Sequence, residues 1–132
     1  QINNTGLVKL FRSHRSDYLD GMQLRDFIYV KDLVAVLDFI MNNQPESGIY
    51  NLGTGKARSF YDLAKATFDA MGKTPNIEYV DIPEDIRGKY QYFTEAKMEK
   101  LRNAGYTEDF YTLEEGIKDY VQNYLLTNLY YW

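Results

Sequence analysis

Apolar residues recur at helical spacing in four stretches of the chain and cluster or alternate in three short ones. Over residues 32–43 the positions Leu33, Val34, Val36, Leu37, Ile40 and Met41 form an apolar set, with Asp32 as N-cap and Pro45 just past the end. A second helix starts at Ser59, where Ser59-x-x-Asp62 resembles a capping box with Asp in place of Glu. It carries Leu63, Ala66, Phe68 and Met71 and stops at Gly72. A third is expected from Thr94 to Gly105, with Met98 and Leu101 facing inward. A fourth starts at Thr112, where Thr112-x-x-Glu115 is a full capping box, and Leu113, Ile117, Tyr120, Val121 and Tyr124 follow a 3.6-residue period.

The three short runs read as strands. Residues 27–30 and 49–52 are apolar and rich in β-formers, and residues 77–80 alternate as a half-exposed strand does. Strands that alternate with helices predict α/β packing with parallel pairing. Two or three strands leave sheet edges open, and an open edge calls for neighbours. The chain starts at Gln1 with no clear element, so the expectation is a portion of something longer.

Composition narrows the class. The 132 residues are 45% hydrophobic and 26% charged, ordinary for a globular domain and too apolar for disorder. No cysteine is present, which removes disulfides, thiolate zinc sites and cysteine nucleophiles. A single histidine removes any multi-histidine metal site. The net charge of −4 with no basic block argues against nucleic acid as a partner. No apolar run nears the ~20 residues a bilayer span needs, so no membrane partner is expected. Thirteen tyrosines raise the aromatic share to 16%. Tyrosine suits both cores and sugar or nucleotide pockets.

Several motifs invite chemistry and have plainer readings. Gly53-Thr54-Gly55-Lys56 follows a strand and precedes a helix. It fails the P-loop pattern at Tyr50 and Ala57, and the dinucleotide fingerprint at Arg58. A tight turn that uses glycine's freedom at positive φ is the better account. Tyr61-x-x-x-Lys65 has the spacing of the short-chain dehydrogenase pair, which on a helix shares one face, yet thirteen tyrosines make such pairs common by chance. His14, Asp17 and Asp20 make a poor metal set, and Asp81, Glu84 and Asp85 around Pro83 read as a solvated turn. Arg25-Asp26, directly before the run at 27–30, is more informative. A guanidinium at a strand edge can clamp a diphosphate in a bidentate way, although a surface salt bridge would also satisfy it.

The run Arg25-Asp26-Phe27-Ile28-Tyr29-Val30-Lys31-Asp32-Leu33, followed by Ile49-Tyr50-Asn51-Leu52-Gly53-Thr54-Gly55, resembles extended short-chain dehydrogenase/reductases that act on nucleotide sugars. Residues 47–60, Arg87-Gly88-Lys89-Tyr90-Gln91-Tyr92-Phe93-Thr94 and Leu101-Arg102-Asn103-Ala104-Gly105-Tyr106 are similar to the ADP-L-glycero-D-manno-heptose 6-epimerases within that superfamily. The resemblance runs from Gly6 to about Leu126 and leaves residues 127–132 as a divergent tail.

The resemblance implies an α/β C-terminal portion: the last strands of a Rossmann-type sheet with a small α/β substrate-binding domain over residues 1–126. It implies an isomerase that inverts C6 of the heptose of an ADP-sugar, for lipopolysaccharide core precursors, in the cytoplasm. NADP would be bound mainly by an N-terminal Rossmann portion that carries the fingerprint and the catalytic tyrosine and lysine. This chain would then hold no catalytic residue, no cofactor-binding residue and no metal, and would be inactive alone. By the family's motifs Arg25 grips the substrate diphosphate and Tyr90 reaches the substrate from the second domain. Phe11, Arg12, Ser13 and His14 lie beside the nucleotide sugar. The partners implied are the ADP-sugar, the N-terminal portion and, for the full-length enzyme, further copies in a homo-oligomer. Another nucleotide-sugar epimerase or dehydratase of the superfamily, or a non-catalytic module that binds a nucleotide sugar or a protein, are the alternatives.

Overall fold

In the computed structural model, which describes residues 1–127, a short opening helix α1 (Ile2–Thr5) leads into strand β1 (Val8–Phe11). β1 pairs in parallel with a much later strand, Ile77–Val80, so that Val8 lies opposite Ile77 and Phe11 opposite Val80. Parallel strands need a long crossover, and everything between them supplies it. The crossover holds β2 (Leu24–Arg25), helix α2 (Val30–Asn43), β3 (Arg58–Ser59) and helix α3 (Phe60–Ala70); the returning strand is β4. β2 and β3 form a second, two-residue antiparallel ladder, Leu24 opposite Ser59 and Arg25 opposite Arg58. Three helices follow: α4 (Glu84–Arg87), α5 (Glu99–Asn103) and α6 (Leu113–Tyr120), the last continuing into a π-helical turn at Val121–Leu125. The α/β class and the parallel pairing expected from the sequence are both present.

The two capping boxes form as read. Ser59 Oγ accepts from the Asp62 amide at 3.0 Å, and the Asp62 carboxylate accepts from the Ser59 amide at 3.2 Å. Thr112 and Glu115 repeat the arrangement at 3.2 and 2.9 Å. Such boxes are local, and two otherwise unpaired backbone donors are satisfied in each. α3 buries Ala64, Ala66, Phe68 and Ala70, and packs on β1 and α6. A separate cluster joins α2 to α5 through Val36, Leu101 and Tyr106, with Phe39, Tyr50, Leu52 and Met98 packed round it.

Four expectations need correction. Residues 27–30 and 49–52 belong to no ladder, because no strand among the described residues lies beside them; Ile49 is 88% exposed. β1 takes their place as a strand, since β4 is there to pair with it. Helix α2 begins at Val30 with Tyr29 as N-cap, and Asp32 sits inside its first turn, buried, accepting from the Tyr111 amide at 3.2 Å. The third helix begins at Glu99, not Thr94, because Thr94 donates to the Leu24 carbonyl at 3.2 Å and Phe93 bridges to Leu24, which keeps that segment extended beside β2. Of the divergent tail, residues 128–132 lie outside the described residues. No described helix is long and apolar enough to cross a membrane.

Ser59 is the hinge between β3 and α3, and it is 1% exposed. Ser59→Ala removes the cap acceptor, so the chain is expected to lose about 1 kcal/mol. Urea unfolding should show a lower midpoint with an unchanged slope; an unchanged midpoint would refute the cap's contribution.

Candidate functional site

The site forms where three chain segments meet β2. The Leu24 amide donates to the Tyr92 carbonyl at 2.8 Å, which draws residues 90–94 alongside Arg25. The Phe60 amide donates to the Gln23 carbonyl at 3.2 Å, and the Tyr61 amide to Gly21 at 2.9 Å, which fixes the first turn of α3 against the same strand. β1 ends at Phe11 on the third side. The result is a cavity of about 310 Å³ lined by Lys9, Leu10, Phe11, Gln23, Arg25, Phe60 and Tyr90.

Arg25 is held rather than free-swinging. Its Nη1 donates to the Leu24 carbonyl at 2.7 Å, and its Nη2 donates to the Gln91 carbonyl. The guanidinium carbon sits 5.4 Å from the Tyr90 ring centre and 5.7 Å from that of Phe60. Two aromatic faces can each stabilise a cation by about 0.5–1 kcal/mol or more. Tyr90 in turn meets Phe11 edge-on at 5.8 Å and Tyr92 at 5.5 Å.

The charge balance around Arg25 is uneven. Its ladder partner Arg58 is neutralised by Glu114 at 2.7 Å and by Asp62 at 3.3 Å. Arg25 has no carboxylate partner among the described residues. Its two carbonyl contacts use two of five N–H donors, which leaves a positioned cation with donors to spare. Burial pushes the Tyr90 phenol above its ordinary range, against the opposing pull of Arg25. Tyr90 therefore stays protonated at neutral pH and can donate its hydroxyl hydrogen. A fixed guanidinium, a phenolic donor and aromatic walls suit an anionic ligand with a flat or apolar part.

The structure thus brings Phe11, Arg25 and Tyr90 together. It does not bring Arg12, Ser13 or His14 into the cavity. Arg12 pairs with Asp20 at 3.2 Å, and the Ser13 amide donates to the same carboxylate at 2.8 Å. The His14 amide donates to the Tyr92 hydroxyl at 2.9 Å, and His14 Nε2 accepts from the Ile82 amide at 3.4 Å. Four lining residues, Lys9, Leu10, Gln23 and Phe60, are not among the candidates the sequence offers. Phe60 is the first residue of α3, on the same helical face as the buried Ala64 and Phe68, four and eight residues further on. Gln23 lies two residues before Arg25, so strand alternation puts both on one face, and that spacing was the available signal.

The glycine turn is a structural turn. The Asp26 carboxylate accepts from the Thr54 amide at 2.7 Å, the Thr54 hydroxyl at 2.6 Å, the Gly55 amide at 2.9 Å and the Ala96 amide at 3.0 Å. A Cβ on Gly53 would lie 2.4 Å from Asp26 Oδ2, and Gly55 has a φ of +71°. The amides a phosphate would need are already taken by a carboxylate, so this turn does not fit a dinucleotide. Lys65 pairs with Asp69 at 2.6 Å, not with the Tyr61 hydroxyl. Among the described residues no group of three His, Asp or Glu side chains is placed to hold a metal ion.

Against known proteins, residues 4–53 match the profile of the NAD dependent epimerase/dehydratase family. The chain is 53% identical over 131 residues to the ADP-L-glycero-D-manno-heptose-6-epimerase of Fusobacterium nucleatum, covering 95% of this chain and 40% of that protein. It is 54% identical over 125 residues to the enzyme of the same name from Nitratidesulfovibrio vulgaris strain DP4, covering 95% and 39%. Among solved structures it matches the Helicobacter pylori ADP-L-glycero-D-manno-heptose-6-epimerase at 31% identity and a TM-score of 0.72, over 92% of this chain and 34% of that one. It also shares the fold of Bifidobacterium longum UDP-glucose 4-epimerase, at 22% identity and a TM-score of 0.78, over 96% and 37%. The chain spans about 40% of the length of the curated relatives it matches.

The four hydrogen bonds hold Asp26 below the ordinary carboxylate range in spite of its burial, which acts the other way. Its contribution to stability is therefore complete above the unfolded value of about 3.9 and is lost as pH falls toward the depressed folded value. Asp26→Asn turns one oxygen into a donor facing two donors, and about 2–4 kcal/mol should be lost at pH 7. Its stability should also fall less steeply than the wild type's below pH 4. Denaturant unfolding across pH 2–7 measures both, and parallel profiles would contradict the assignment.

Proposed function

We propose that the chain is a C-terminal part of an NAD dependent epimerase/dehydratase and that its Arg25–Tyr90 pocket grips the diphosphate of an ADP-linked heptose for a 6-epimerase, a reading supported by the profile match and by the relatives at 53–54% identity. The observation that carries the reading is Arg25 itself. It is a cation pinned by two backbone carbonyls and two rings, with no carboxylate to neutralise it among the described residues. Its remaining N–H donors match phosphate oxygens in the bidentate manner that lysine cannot reproduce. Tyr90 adds a neutral donor, and Phe11 and Phe60 add apolar wall. The relatives' shared name supports the ADP-heptose over other nucleotide sugars.

In this reading the chain binds and orients, and the remote grip on the diphosphate supplies binding energy that the reacting sugar can use. NADP and the proton-transferring residues belong to the remaining length of the relatives. The exposed stripe Val30, Val34, Leu37 and Met41 on α2, with Met41 75% exposed, and the backbone at 49–52, which joins no ladder among the described residues, support a packing face for that remainder. The complete enzyme is then a cytoplasmic homo-oligomer, and the chain alone is inactive.

Calorimetry of the chain with ADP-mannose should give saturable binding that exceeds its response to UDP- and dTDP-sugars. Arg25→Ala should weaken it at least tenfold, about 1.4 kcal/mol or more, and Arg25→Lys should recover only part of that loss. Equal binding by wild type and Arg25→Ala would remove the diphosphate grip, and epimerisation by the chain alone would remove the division of labour.

A further inference from the structure

Gln23 is 1% exposed, one of the few buried polar side chains of the molecule. Its amide nitrogen donates to two successive carbonyls, those of Phe11 and Arg12, each at 3.2 Å. Its backbone carbonyl, not its side chain, accepts from the Phe60 amide at 3.2 Å. The next residue is tied on both sides to the segment that carries Tyr90: the Leu24 amide donates to Tyr92, and the Leu24 carbonyl accepts from Thr94. Gln23 therefore joins the Phe11 and Phe60 walls of the cavity directly, and it lines that cavity beside Arg25.

The amide is the right group for this place. It offers two N–H donors from one nitrogen, so a single side chain can satisfy two adjacent carbonyls. A hydrocarbon of the same length would leave the Arg12 carbonyl without this donor and the Phe11 carbonyl with the Gly21 amide alone, and a carboxylate would repel both. With the carbonyls held, the chain leaving β1 at Phe11 stays at a fixed distance from the guanidinium two residues along from Gln23. Arg25 needs no help from Gln23 for its own placement, because Leu24 and Gln91 hold it. The two halves of the pocket are thus separately supported.

We propose that Gln23 is a positioning residue that aligns the Phe11 wall with the Arg25 anion grip, so that a ligand longer than a diphosphate gains affinity from its nucleoside or sugar part. The proposal rests on the reading of the pocket as a nucleotide-sugar site. It assigns the diphosphate to Arg25 and the added affinity of the whole ligand to the wall that Gln23 holds.

The test compares inorganic pyrophosphate with ADP-mannose by calorimetry, on the wild-type chain and on Gln23→Met. The wild type should bind ADP-mannose at least tenfold more tightly than pyrophosphate. Gln23→Met should keep pyrophosphate binding within about threefold and shrink that tenfold advantage to threefold or less. Equal weakening of both ligands would overturn the positioning role and leave the Arg25 grip standing. Failure of the wild type to bind either ligand would overturn the proposal together with the reading beneath it. Should Gln23→Met not fold, the wild-type side-chain amide signal of Gln23 gives the second measurement. It should shift on addition of ADP-mannose and stay in place with pyrophosphate; the same response to both ligands would overturn the proposal.

Discussion

The carboxylate of Asp26 is the contact on which the arrangement turns. One side chain accepts four hydrogen bonds from two distant segments, the turn at 53–55 and the stretch at 96. Adjacent residues of an extended chain face opposite ways. While Asp26 faces inward and gathers these segments, Arg25 faces outward into the cavity. The absence of a side chain at Gly53 is what lets the carboxylate come so close. A glycine-rich turn of this kind looks like a phosphate cradle in sequence and is an internal anion's cradle in the fold.

What could be read from the sequence is what local physics decides. Both capping boxes and the bodies of α2, α3 and α6 depend on residues within a turn or two of one another. The misread pieces depend on partners far along the chain. Residues 27–30 have the composition of a strand, but a strand exists only with a neighbour to bond. The Val8–Phe11 run was passed over, and it became a strand because Ile77–Val80 lies beside it. Thr94 looks like a helix start and is captured instead by Leu24. The same divide separates the site residues. Arg25, Tyr90 and Phe11 came from a family's motifs. Phe60 and Gln23 reach the same cavity because α3 and β1 pack beside β2.

The electrostatics of the pocket follow from where compensation is withheld. Arg12, Arg15, Arg58, Lys31 and Lys65 each have a carboxylate within salt-bridge reach. In the Lys31 cluster Asp119 also accepts from Tyr29 and Asn123, and these contacts lower its carboxyl to about 2. Most of these pairs are exposed, and exposed pairs add little stability. Their effect is to cancel local charge. Arg25, like Arg87, Arg102 and Lys100, is oriented by neutral carbonyls, which leave its charge intact. A molecule with an overall charge of −4 thereby keeps a positive point inside an aromatic recess.

Orientation by carbonyls also explains why the site can be built from so few residues. A guanidinium in a flexible side chain loses rotamer freedom when a ligand arrives, and that loss subtracts from affinity. Here the freedom is already spent in folding, on Leu24, Gln91 and two rings. The same logic applies to the wall at Phe11, whose backbone is fixed by a buried amide before any ligand appears. Rigid supports of this kind are made by segments within the chain, which spans about 40% of its relatives' length. The backbone at 49–52 and the bare stripe on α2 lie on other segments, and neither lines the Arg25 cavity.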